Sequence, residues 1–500
     1  MKLMNKKTIL LSFLAASGLL AGCHGQDRNP AKDEGKHQGT DIVDTSVPVA
    51  YVTASSKNRL FQAEELKFDR PASMSTRIVN IYPDEEYQTV DGFGAAITGA
   101  TSSNLLKMSS EDRTAFLKEI FDRETGLGSS LVRISIGSSD FPARGSAAEY
   151  SWCDTEGIGN FAPHPEDLAY LIPVLKEIYA INPDLKIIGT PWSAPRWMKE
   201  YDSWTSASLK EECYSDYALY FVKWIQYMES QGFDIYAITP QNEPLNRGNS
   251  MSMYMGWQQQ RDFIKEALGP AFREAGIDTK ILVFDHNYNY DNQQDQEGYP
   301  LHIFADPEAS QYVSGSAWHN YGGDVSTLDQ IAYEYPDKDI YFTEASIGEW
   351  NYDFGSCLLN DFENIFLGTL SRGGKGVTLW NLLLDDKGGP YSPADGSCKT
   401  CYGAVDISSS DYRTLTRRSH YYNIAHASKV VKPGAVRIGI SGYRPDGIQY
   451  AAFRNPDSSV GVLILNKGAA DQPMTFTTTE YSVRYTVPAQ SIVSLGWLYE

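Results

Sequence analysis

The sequence predicts an α/β chain, a (β/α)8 TIM barrel with a β-sandwich domain at its side. Three observations carry this reading. Eight apolar, strand-like runs alternate with helix-like segments between Thr89 and Leu383, and strand–helix alternation of that length builds a parallel sheet. Short strands with turn clusters between them, and no helical period, stand before and after this region. Polar residues gather at the ends of the eight runs, which a closed barrel would bring onto one face.

The chain begins with an export pattern. Lys2, Lys6 and Lys7 precede the apolar run from Ile9 to Ala16, too short to span a membrane, and Leu20-Ala21-Gly22-Cys23 follows. This looks like a bacterial lipoprotein signal over residues 1–22, cut before Cys23 so that the cysteine is lipidated. Residues 23–50 are polar and read as a flexible tether. The expected address is the cell envelope, outer membrane or periplasm, with the lipid as the sole membrane contact.

Residues 51–88 carry alternating runs such as Arg77-Ile78-Val79-Asn80-Ile81-Tyr82. They have no helical partner, so they are expected to join the sandwich rather than leave strand edges open. The barrel is placed at 89–420. Its strands are read at 89–95, 130–136, 185–190, 235–239, 280–284, 315–319, 339–343 and 376–383. Helices are read at 105–121, with Ser109 or Ser110 as cap before Glu111 and Asp112, and at 165–181, 216–231, 258–274 and 358–370. An open doubly wound sheet would want a Gly-rich phosphate turn after its first strand, and Gly92-Phe93-Gly94 lacks the full spacing. From Tyr421 to the end, short strands at 436–440, 447–455, 461–466, 474–478 and 491–498 read as an antiparallel sandwich.

Composition sets outer limits. With 42% apolar residues in 500, the chain can bury a large core. A net charge of −20 argues against nucleic acid, whose phosphates need a basic surface. Beyond Cys23 there are Cys153, Cys213, Cys357, Cys398 and Cys401, an odd number, so one at least stays free. Cys398-x-x-Cys401 has no second CxxC and no His pair nearby, which leaves a local disulfide or two loop thiols rather than zinc.

The strand ends hold the chemistry. Ile235 to Thr239 runs into Pro240-Gln241-Asn242-Glu243-Pro244, and Ile340 to Thr343 runs into Glu344. A strand-end glutamate can simply cap a following helix. Two of them, each closing an apolar strand, also meet the need of glycoside hydrolysis for one acid and one carboxylate on opposite sides of the sugar. Arg133, Asp140, Trp192, Asp285, His286, Asn287, His319, Tyr321, Trp380 and Asn381 stand at the other ends. Asp285-His286-Asn287 is too thin for a metal centre, so no metal is expected.

With these motifs together the chain resembles glycoside hydrolase family 30, the glucosylceramidases and endo-β-1,6-glucanases. The carriers are Asp91-Gly92-Phe93-Gly94-Ala95-Ala96, the run from Arg133 to Phe141, the run from Thr190 to Lys199, Gln241-Asn242-Glu243-Pro244, Thr343-Glu344, Trp380-Asn381 with Gly388-Gly389-Pro390, and Lys432-Pro433-Gly434-Ala435. The resemblance runs from about Gln88 to the C-terminus. It implies a retaining, cofactor-free barrel with Glu243 as acid/base and Glu344 as nucleophile. Arg133, Asp140, Trp192, Asn242, His319 and Trp380 would hold the innermost glucose, with Tyr321 counted beside His319. It also implies a polysaccharide or glucoside substrate, an endo-β-1,6-glucanase by the Cys398-x-x-Cys401-Tyr402-Gly403 loop, acting as a monomer. An exo-acting β-glucosidase or glucosylceramidase is the alternative. A lipid-anchored glycan-binding protein would have no need of both glutamates. The charge of Glu344 is expected to raise the Glu243 pKa and keep that acid protonated.

Overall fold

The computed structural model describes residues 47–72, 76–145, 149–249 and 251–498. The signal and Cys23 lie outside the described residues. Among those described, no helix is long and apolar enough to cross a membrane.

Eight parallel strands form the barrel: Gly92–Ala95, Leu131–Ser135, Lys186–Thr190, Ile235–Ile238, Lys280–Asn287, Gly315–His319, Asp339–Glu344 and Gly374–Leu379. They neighbour one another in chain order, and the last pairs with the first. At the seam between first and second strands, Ser130 N–H donates to Phe93 O at 3.1 Å and Ile97 N–H to Arg133 O at 2.9 Å. Alternation sorts the side chains. Leu131, Ile188, Ala237, Leu282, Ala317 and Tyr341 fill the interior, while Val132 and Ile134 pack outward against the helices.

The alternation breaks where the site is built. In the fifth strand Ala317 pairs with Phe284, but Trp318 pairs with His286, so Asp285 is an extra residue. Phe284 and Asp285 both have positive φ, 76° and 69°. This bulge shifts the phase by one. Phe284 joins an outer aromatic cluster with Tyr290, Tyr299 and Trp318, and Asp285 turns inward. A second bulge in the seventh strand sets His319 opposite Glu344 after Trp318 opposite Phe342. Thr343 and Glu344 thus both reach the site. Bulges of this kind re-aim side chains beside active sites.

The expected helix 105–121 is two helices, Gly99–Lys107 and Ser110–Phe121, and the Ser109 side chain caps the second by accepting from Asp112 N–H. Tyr214–Ser230 buries Tyr217, Phe221, Trp224, Ile225 and Met228, one stripe at helical spacing. Two other helices contain π-helical turns, Ile264–Leu268 and Phe362–Leu367. The first comes just before Pro270, which has no N–H to donate.

The sandwich is one ten-stranded sheet curled on itself. Val49–Ala54, Gln62–Glu65, Phe68–Asp69 and Ile78–Val90 lie in it with the C-terminal strands. Ile78–Val90 pairs with Ala435–Gly442, and Val49–Ala54 with Ser491–Leu498. Ala50, Val52, Val79, Ile81, Val462, Phe476 and Trp497 share its separate core. Thr89 and Val90, read as the start of the first barrel strand, belong to this sheet; the chain passes into the barrel at Asp91. The strand Ser482–Val487 is added to those expected.

The helix Ser419–Val430 was not expected and crosses the boundary drawn at 420/421. All its residues but Lys429 are buried. It lies between barrel and sandwich, touching both Gly92–Ala95 and Ser491–Leu498. A helix buried on every side shows no polar stripe for periodicity to detect.

Candidate active site

Arg133 is the hub. It is fully buried on the second strand, and its guanidinium donates to Glu344 Oε2 at 2.6 Å, Asn242 Oδ1 at 2.6 Å and Asp285 Oδ2 at 2.8 Å. One cation thus ties the ends of strands two, four, five and seven. An unpaired buried guanidinium would be costly, and these acceptors offset its desolvation. Asp285 also accepts from Thr239 Oγ1 at 2.7 Å and Thr343 Oγ1 at 2.6 Å. Burial raises the Asp285 pKa, but the charge of Arg133 and the bond to His319 dominate and hold it far below the usual carboxylate range.

His319 stands between two acids. Its Nε2 is 3.0 Å from Asp285 Oδ1 and its Nδ1 3.4 Å from Glu243 Oε1. Burial lowers its pKa, but the charge of Glu344 and the bonds to Asp285 and Glu243 outweigh that and bring it to about 9. Both ring nitrogens therefore carry protons. Glu243, with φ at +43°, is held by its backbone N–H to Asp285 O. Asn246 and Asn249 each donate to its Oε2 at 2.8 Å.

The expectation that Glu344 keeps Glu243 protonated fails in this geometry. Burial pushes Glu243 up, yet the His319 bond, the nearby imidazole charges and Asn246 bring it down to about 2. Glu344 moves the other way. Burial raises it, joined by the charges of Glu243 and Asp285, and His319 and Arg133 only partly offset this. Tyr321 donates to Glu344 Oε1 at 3.0 Å and lies 2.9 Å from Ser346 Oγ.

The walls are aromatic. Trp192 and Trp380 stack at 4.9 Å, and the Arg133 guanidinium lies 4.9 Å from the Trp192 ring centre and 5.5 Å from that of Trp380. Asp140 lies in the field of both glutamates, and burial with their charges holds its pKa well above the normal range. Its Oδ1 has no hydrogen-bond partner. The loops after strands four and eight meet over the mouth. A Cβ at Gly396 would lie 2.2 Å from Gly248 O. Just beyond, Cys398 and Cys401 form a disulfide, while Cys153, Cys213 and Cys357 are free.

One ligand atom each of Glu243, His319 and Glu344 falls within 4.8 Å of the other two. The set suits a metal poorly, because a histidine that donates from both nitrogens has no lone pair to give. What it suits is a pair of facing carboxylates about a small gap.

The structure brings together the residues that the resemblance placed in the site: Arg133, Asp140, Trp192, Asn242, Glu243, His319, Tyr321, Glu344 and Trp380. Asn246, Asn249, Thr239, Thr343 and Ser346 were not singled out. Their signal in the sequence was only nearness to the two glutamates. Asp285 was noted as a strand-end acid and not placed in the site, because its inward turn depends on the bulge.

Residues 90–431 match the glycosyl hydrolase family 30 TIM-barrel domain, and residues 434–495 the family's beta sandwich domain. The chain belongs to glycosyl hydrolase family 30. It is a glycoside hydrolase. An endo-1,6-beta-D-glucanase of Neurospora crassa is 33% identical over 79% of this chain and 82% of its own length. The lysosomal acid glucosylceramidase of Mus musculus is 26% identical over 84% of this chain and 83% of its own. Among solved structures, that of the endo-beta1,6-glucanase BT3312 matches with a TM-score of 0.88 and 49% identity, covering 91% of this chain and all of that one.

Proposed function

We propose that this family 30 hydrolase cuts β-1,6-linked glucan within the chain and retains anomeric configuration, with Glu344 as nucleophile and Glu243 as acid/base. The observation that carries it is the approach of the two glutamates, oxygens within 4.8 Å. Retaining enzymes hold their carboxyls about 5–5.5 Å apart, and inverting ones leave about 6.5–9.5 Å for a water. Arg133 and Tyr321 orient the Glu344 carboxylate for attack on the anomeric carbon. The bond to the leaving oxygen breaks as Glu243 gives that oxygen a proton. Glu243 then takes a proton from water, which releases the sugar from Glu344. Arg133 takes the Asn242 carbonyl and leaves that amide's N–H groups for a sugar hydroxyl. Asp140, whose Oδ1 has no other partner, is open to a sugar hydroxyl as well.

The linkage rests on the endo-1,6-beta-glucanases among the relatives. Glucosylceramidases stand among them too. Product analysis on pustulan, laminarin, xylan and glucosylceramide decides. Pustulan should give a ladder of short β-1,6-oligosaccharides. Glucose alone from every substrate, or cleavage of glucosylceramide only, would overturn the reading.

The same proposal places the enzyme at the cell envelope on a lipid-modified Cys23, supported by the basic, apolar and Leu20-Ala21-Gly22-Cys23 sequence. Cys23→Ala should shift the protein from the membrane fraction to the soluble one, or leave an uncleaved precursor, with catalysis by the purified domain unchanged. Unaltered fractionation would refute the anchor.

A further inference from the structure

After Glu344 the chain stays at the mouth of the barrel. Ile347 and Gly348 pair antiparallel with Tyr402 and Cys401, and Glu349 N–H donates to Thr400 O at 2.9 Å. The partner segment is closed by the Cys398–Cys401 disulfide. Arg418 braces it further, with its guanidinium 4.0 Å from the Tyr402 ring centre and its Nε 2.6 Å from Asp406 Oδ2. The turn at Glu349 and Trp350 therefore stands on a rigid base.

Trp350 is 57% exposed, whereas Trp192 and Trp380 are 2% exposed. Its ring rests on Gly348. A Cβ there would meet Trp350 Cζ3 at 1.9 Å and Thr400 O at 2.4 Å. A glycine under an indole leaves the ring lying on backbone, with fixed placement and an open surface. Tyr321 is 45% exposed, and its hydroxyl reaches both Glu344 and Ser346. These two rings belong to the loops after strands six and seven. Loops four and eight meet across the mouth at Gly248 and Gly396. A polymer leaving Glu344 past loops six and seven is flanked by these two rings.

We infer that Trp350 is the stacking platform of an outer subsite, binding a glucose unit of the β-glucan chain beyond the one held between the glutamates. The inference rests on the proposed glucanase activity. A β-glucose ring offers a flat face of C–H groups, and a rigid indole covers such a face at little cost in entropy. The platform serves chain substrates and leaves the bond-breaking groups untouched.

The test compares pustulan and β-1,6-gluco-oligosaccharides with an aryl β-glucoside, whose single sugar occupies only the innermost site. For Trp350→Ala, kcat/KM on the chain substrates should fall about 10- to 100-fold, chiefly through KM, as for a tryptophan anchor, while the aryl glucoside changes by less than about twofold. Trp350→Phe should keep most of the activity on chains. Gly348→Val, which pushes the ring off its seat, should behave as a weaker Trp350→Ala. Equal loss on both substrate types, or no loss on either, would overturn the platform. Should the wild-type enzyme cleave a different β-glucan, the linkage reading fails alone, and the same chain-against-aryl contrast on that glucan still decides the platform. Cleavage of no polymer at all would end both.

Discussion

Glu344→Gln should lose activity on every β-glucoside, good leaving group or poor, on the order of 10⁶-fold, as when a covalent nucleophile is removed. The carboxylate is held from both sides, by Arg133 at 2.6 Å and Tyr321 at 3.0 Å. An amide in its place turns an N–H toward one of these donors and has no charge to neutralise Arg133. The loss should be in the first step, with no burst of aryl alcohol. In Glu344→Gly the vacated space should admit azide, which attacks from the same face as the lost carboxylate and gives an α-glucosyl azide. The anomeric proton in NMR reads the outcome. A β-azide from this variant would exchange the roles of the two glutamates.

Glu243→Gln should cost about 10²- to 10⁴-fold on glucan and much less on an aryl glucoside that leaves without a proton. On the aryl substrate the glycosyl-enzyme should form and then persist, because nothing activates water. Azide should restore turnover and yield the β-azide. The pH profile carries further information. Glu243 at about 2 is ionised near neutrality, yet His319, 3.4 Å away, holds a proton up to about 9. Transfer of that proton from Nδ1 to Oε1 makes Glu243 the acid without changing the charge of the pair. Arg133, Asp285, His286 and Glu344 surround the two throughout. The pair, rather than either residue, then sets the alkaline limb. Activity needs the proton, so kcat/KM should be full below this limb and fall as pH rises through about 9. The acid limb belongs to Glu344, which must be ionised to attack. Because its pKa is raised, activity should fade at a pH above that of an ordinary glutamate as pH drops. His319→Gln should move the alkaline limb to lower pH. A limb unmoved by that change would show that the proton comes from elsewhere.

Much of this was legible before folding. The eight apolar runs became the eight barrel strands, because a strand buried in a closed parallel sheet needs a continuous apolar stretch. Glu243 and Glu344 stood out because a carboxylate closing such a stretch has no place in a core. The family motifs then named the residues around them. The helix Ser419–Val430 went unseen for the complementary reason: fully buried, it has no polar face to give it a period. Asn246 and Asn249 went unseen because a loop asparagine carries no mark of what its amide will touch.

The sequence by itself determined the class of architecture and the two strand-end carboxylates, since each follows from residue type and spacing along the chain, and the family motifs added the aromatic walls. Only the tertiary structure decided which side chains face the site and what charge they bear there. Alternation alone would turn Phe284 inward and Asp285 outward; the bulge against the sixth strand reverses both and supplies the anion that Arg133 and His319 share. The protonation order of Glu243 and Glu344 likewise came from partners up to 211 positions apart. Such quantities depend on distance through space and on exclusion of water, and neither is fixed until the strands have closed.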